Sequence, residues 1–226
     1  FIGNVFKPCS FTTSDNYCLF QHKLILIGYY YFVIIKSILE KYLELINSIV
    51  QNSEFDNLST LFKHLENSFE SQGRIFLAGN GGSAAIANHA ATDLSKLTKN
   101  NNLLNPISLP TNIAQITANA NDDGYENIFV SSVKNYQLNP ADLVIVISSS
   151  GNSKNIINLI EYSKEKAAKT FAFLGFDGGK AKEIVDFPIL INSKKGYYGP
   201  VEDIHMIIFH LFAHIIKSDI DELDGK

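Results

Sequence analysis

Cysteine is scarce. The two present, Cys9 and Cys18, both lie near the start, so everything from Leu19 onward folds without a disulfide. That usage suits a reducing compartment and predicts a cytoplasmic protein. Positive charge is not in excess either: the formal net charge is -4, and no Lys/Arg cluster interleaves with aromatic residues. The counterion release that drives nucleic-acid binding then has no source, and no nucleic-acid partner is expected. The apolar run at residues 24–35, between Lys23 and Lys36, falls well short of the ~20 residues a membrane span requires. It also lacks the basic start and small-residue cleavage site of a signal peptide, so no membrane association is expected. A buried or interface segment, or a stretch of leader, remains for residues 1–32. Internal repeats and low-complexity tracts are absent as well. What is present is an ordinary globular composition, 46% hydrophobic and 19% charged over 226 residues. It is enough for one domain with a helical extension.

Apolar periodicity organises the rest. Ile34, Ile35, Ile38, Leu39, Tyr42, Leu43, Ile46 and Ile49 recur at helical spacing over residues 33–50, and Leu58, Leu61, Phe62 and Leu65 do so over 55–69. These two predict a helical hairpin. Short apolar runs then alternate with helical patterns: residues 74–78 then 83–97, 143–147 then 153–166, 170–174 then 178–184. Two further strand candidates, 106–109 and 187–191, and a last helix over 200–217 complete the pattern. Alternation of this kind implies crossover units, and right-handed crossovers place helices on both faces of a parallel sheet. The expected architecture is therefore an α/β three-layer sandwich with a five-stranded parallel sheet, preceded by the hairpin. Residues 1–32 form an N-terminal extension, 33–217 the domain, and 218–226 a polar tail.

Two loops carry the chemistry. The first strand candidate runs into Gly79-Asn80-Gly81-Gly82-Ser83, where a helix opens. Glycines let backbone approach a ligand closely, and free N–H groups at a helix start, aligned with its dipole, favour an anion such as phosphate. Ser83 adds a hydroxyl. No Lys follows as in the Walker pattern, and the third glycine is misplaced for the dinucleotide fingerprint. A tight strand-to-helix turn with no ligand would share this pattern. A second loop of the same kind shifts the balance: residues 143–147 lead into Ser148-Ser149-Ser150-Gly151-Asn152-Ser153. Small hydroxyls at the carboxyl edge of a parallel sheet can donate to phosphate and sugar oxygens.

GNGGSAA after one strand and ISSSGNS after another resemble the sugar isomerase (SIS) domain family, and within it the branch that isomerises sedoheptulose 7-phosphate. The segments Asn121-Asp122-Asp123-Gly124-Tyr125-Glu126 and Asp177-Gly178-Gly179-Lys180 and the last helix resemble that branch too, in the same order, so the likeness covers residues 33–217. It implies a homotetramer. It also implies that Ser83, Ser148, Ser149, Ser150 and Ser153 hold phosphate and sugar oxygens, with Gly81 and Gly82 beneath them and Asn80, Asn121 and Asp122 lining the cavity. Other branches are binding or regulatory modules, including one associated with replication initiation, or act on aminosugar phosphates or sugar ethers.

His89 and Asp93 stand four residues apart and share a helix face. The last helix carries Glu202, Asp203, His205, His210 and His214. Positions 202 and 210 fall about 80° apart around an ideal helix. Packing or solvation accounts for such residues singly, and His205 and His214 are read that way. The resemblance implies zinc ligands at four positions, here His89, Asp93, Glu202 and His210, one ion per subunit. Two depart from its pattern: Asp93 stands where the branch has Glu, and Glu202 where it has Gln. Two His and two carboxylates remain a suitable zinc shell. The resemblance further implies that Asp93 and His210 are the acid–base pair of an aldose–ketose isomerisation through an enediol, with Glu202 also facing the substrate.

Overall fold

The computed structural model describes residues 15–99 and 101–217, with side chains from Tyr30 onward. The whole of the expected tail, residues 218–226, and residues 1–14 of the expected extension lie outside the described residues. The chain divides after Asn47 into two compact units. Helix α1 (Asp15–Gln51) runs across the division, while α2 (Leu58–Ser71) and everything after it belong to the second unit. No described helix is long and apolar enough to cross a membrane.

The chain then follows β1 (Arg74–Gly79), α3 (Gly82–Ser95), a short hairpin of β2 (Thr98–Lys99) and β3 (Asn102–Leu103), and β4 (Asn105–Ser108). It continues through α4 (Ile113–Asp123), α5 (Ile128–Asn135), β5 (Leu143–Ser148), α6 (Lys154–Glu165), β6 (Lys169–Phe176), α7 (Gly179–Ile184), β7 (Phe187–Asn192) and α8 (Tyr198–Lys217). Five strands form one sheet in the order β4-β1-β5-β6-β7. Every pairing in it is parallel, as the strand–helix alternation predicts.

Alternate side chains of the strands serve opposite layers, as the two-residue strand period demands. Phe76, Ala78, Val144, Val146, Ala172 and Leu174 pack with Ile128 and Phe129 of α5 and Ile156 and Ile160 of α6. On the other face, Phe171 meets His64 of α2, and Phe173 meets His205 and Phe209 of α8. Buried from both sides, β5 reads as an unbroken apolar run from Leu143 to Ile147, and its sixth residue, Ser148, is buried too. Helices α4 and α5 have no counterpart in the expected pattern. The reason is physical: α4 only half-buries Ile116 and Ala120, and α5 is eight residues long with five of them buried, so neither shows a clear helical period. The Asn112 side chain caps α4 by accepting from the Gln115 N–H at 3.1 Å.

From β1 the chain leaves through α3 toward β4; from β5 it leaves through α6 toward β6 on the other side. The strand order therefore reverses between β1 and β5, which pair with Ala78 opposite Val146 and Gly79 opposite Ile147. Open α/β sheets bind ligands in the crevice at such a reversal, outside the carboxyl ends of the strands.

Candidate active site

Both loops singled out in the sequence border that crevice, and a pair of amides joins the first to the helix turn that follows the second. The Asn80 side chain donates to Asn155 Oδ1 at 2.9 Å, and Asn155 donates back to Asn80 Oδ1 at 2.9 Å. The Tyr125 hydroxyl also donates to Asn80 Oδ1, at 3.0 Å. One N–H of the Asn80 amide is left for a ligand. Asn155 and Tyr125 were not among the expected site residues. Tyr125 lies inside a segment that carries the resemblance, and Asn155 stands only two residues beyond Ser153, but neither has a sequence signal of its own.

Helix α3 starts at this edge without a side-chain cap. Its N-cap Gly81 has φ 55° and ψ -124°, a combination that a Cβ would strain. The next residue is a glycine for a different reason: a Cβ on Gly82 would run into the Glu202 carboxylate. Helix α6 likewise starts at Ser153 with no side-chain cap. Two helix N-termini therefore aim unpaired N–H groups and the positive ends of their dipoles at one crevice, an environment that selects an anion.

The serines divide by task. Ser148 Oγ accepts from the Gly151 N–H at 3.2 Å, and Ser150 Oγ from the Asn152 N–H at 3.4 Å, so these two shape the turn. Ser149 Oγ is buried with no partner among the described residues. A buried hydroxyl left unpaired is costly, so this one has hydrogen-bonding capacity to spare. Ser83 is buried at the start of α3. Asn121 and Asp122 are exposed near the end of α4, where the Asn121 amide donates to Asp122 Oδ1 at 2.8 Å. Neither hydrogen-bonds a residue of either loop among the described residues.

A second cluster lies further along α3. Asp93 Oδ2 is 3.0 Å from His89 Nε2 and 3.9 Å from His210 Nε2, and the two imidazole nitrogens are 3.0 Å apart. Tetrahedral zinc with bonds of ~2.0–2.2 Å sets its donor atoms roughly 3.3 Å apart, so these three side chains fit a zinc ion. Among the described residues they form a group able to hold a metal. Glu202, expected as a fourth ligand, is not in that group. Its carboxylate lies over Gly82, at the anion end of α3. Partial burial, with the Asp203 charge adding, lifts its carboxyl above the usual range. Lys96 Nζ sits 3.5 Å from the other Asp93 oxygen. His205 is wholly buried, its Nε2 3.3 Å from the Leu174 carbonyl, in keeping with a packing role.

Comparison with known proteins places this geometry in context. The SIS domain family model matches residues 39–175. A phosphoheptose isomerase of Helicobacter pylori strain P12 is 35% identical over 185 residues, 80% of this chain and 90% of that protein. A probable phosphoheptose isomerase of Thermoplasma volcanium is 29% identical over 206 residues, 91% of this chain and 97% of that one. The solved structure of a phosphoheptose isomerase from Francisella tularensis superposes with a TM-score of 0.70 at 25% identity, covering 81% of this chain and 96% of the other.

Proposed function

Since this chain belongs to the SIS domain family, we propose that its two loops hold the phosphate of a sugar phosphate whose carbonyl end Asp93 and His210 isomerise. It is a sugar-phosphate isomerase of the phosphoheptose type, and sedoheptulose 7-phosphate is the substrate. The observation that carries this reading is the tie, by Asn80 and Asn155, of the glycine loop to the first turn of α6, which follows the serine loop, at the strand-order reversal.

The N–H groups at the start of α3 and the hydroxyls of Ser83, Ser149 and Ser153 receive phosphate oxygens. Seven residues of helix, about 10 Å at 1.5 Å per residue, separate Gly82 from His89. An extended sugar phosphate spans that interval, so an anchored phosphate delivers its carbonyl carbon to the His89, Asp93 and His210 cluster. Glu202 lies at the start of the interval, where its carboxylate accepts from sugar hydroxyls. A base takes a proton from the carbon beside the ketose carbonyl, the electron pair forms the carbon–carbon double bond, and the carbonyl oxygen gains a proton. Return of a proton to the former carbonyl carbon, with loss of the neighbouring hydroxyl proton, yields the aldose. Asp93 and His210 exchange these protons. Zinc bound by His89, Asp93 and His210 would supply a Lewis acid toward the substrate oxygens. The same reading includes a homotetramer and a cytoplasmic setting. A module that only bound ligand would have no use for His89, Asp93 and His210 drawn together.

Turnover and ligand-induced thermal stabilisation, measured side by side, test this reading. Asp93→Asn and His210→Ala should each lower kcat by a factor of about 100 or more while leaving stabilisation by the sugar phosphate largely intact. Ser149→Ala should instead raise KM about tenfold, the worth of one hydrogen bond to a charged group. Full kcat in the Asp93 or His210 variant would remove that residue from the chemistry.

A further inference from the structure

We propose that His214 is a ligand of the same metal centre as His89, Asp93 and His210, supplying the donor that the resemblance assigns to position 202. The inference rests on the metal-binding part of the reading above. His210 and His214 are four residues apart on α8, as His89 and Asp93 are on α3, so each helix presents a donor pair on one face. Histidines at this spacing on one helix turn can hold a single zinc ion between them. The two helices pack against each other, and His89 already touches His210 across that contact.

His214 lines the same cavity as Asp93 and His210, together with Lys96, Ala213 and Lys217. Its Nδ1 is shut off from water and has no partner among the described residues. A buried imidazole nitrogen is ordinarily hydrogen-bonded or bound to a metal, and an orphan costs stability until something satisfies it. His214, like Glu202, lies outside the group of three whose donors already stand together, so its ring must turn toward them on binding, from a backbone position one helical turn beyond His210.

Glu202 is placed differently. It precedes His210 by eight residues, roughly 12 Å along a helix axis, and its carboxylate rests on Gly82, itself seven residues before His89. That position serves the sugar end of the site. A shell of three imidazoles and one carboxylate follows, and a divalent ion would displace Lys96 from Asp93.

X-ray absorption at the zinc edge of the zinc-loaded full chain counts the imidazoles, with three expected. Competition against a chromogenic chelator gives the affinity: His214→Asn should weaken zinc binding about tenfold or more, as losing a ligand or its support does, while Glu202→Gln changes it less than about twofold. Two imidazoles in the absorption spectrum, or zinc affinity unchanged in His214→Asn but lost in Glu202→Gln, would overturn the assignment of His214 and leave the metal centre standing. A wild-type chain that takes up no zinc would overturn both. Should the His214 variant fail to fold, the imidazole count on the unaltered protein decides.

Discussion

His205 shows how position on one helix decides what a histidine can do. It precedes His210 by five residues, about 140° around an ideal helix, so the two must face different ways. His205 faces Phe173 and the Leu174 carbonyl and is fully buried. Burial lowers its pKa from 6.5 to about 4, against the weaker opposing effect of the Leu174 hydrogen bond. An unfolded chain therefore binds a proton here at pH values where the folded one does not. Stability is complete above pH 6.5 and falls as the pH drops toward about 4, by on the order of 3 kcal/mol from this group. Chemical denaturation of wild type and His205→Gln across that window should give curves that converge at low pH; parallel curves would show that His205 does not titrate as its burial requires. Helical spacing alone gives the angle between these histidines. It does not say which side is the core, and for the same reason the sequence could not separate Ser149, buried and unpartnered, from Ser148 and Ser150, which tie their own turn.

The pairing of Asn80 with Asn155 couples two elements, the loop after β1 and the first turn of α6. Two reciprocal hydrogen bonds at a partly buried site should yield a coupling energy of about 1–2 kcal/mol in a double-mutant cycle of Asn80→Ala and Asn155→Ala. Strictly additive losses would mean that the loops hold their places without the pair. The elements that frame these loops were legible because strands buried on both faces, such as Val144-Ile145-Val146, can only be written as apolar runs. Helices α4 and α5 were not: α4 has no fully buried residue, and α5 is only eight residues long with five of them buried, so neither shows a clear helical period. Their segment still matters, because Tyr125, between them, reaches Asn80.

Across the molecule, the proposed recognition and chemistry fall at two places along one helix. The start of α3 faces the serine loop across the strand-order reversal, and two turns onward the same helix brings His89 and Asp93 against His210 of α8. The i, i+4 pair on α3 could be read from spacing. Its closure by α8 depends on two helices meeting over one sheet face, and the placement of Glu202 over Gly82 depends on the axial offset between them, neither of which a linear sequence displays. The most direct test is to incubate the zinc-loaded protein with sedoheptulose 7-phosphate in heavy water and follow it by proton and phosphorus NMR. An aldose 7-phosphate should appear, with solvent deuterium entering at the carbon beside its carbonyl. A ketose that stays unchanged and undeuterated, under conditions where the protein holds its zinc, would mean that these loops and this cluster do not form an isomerase.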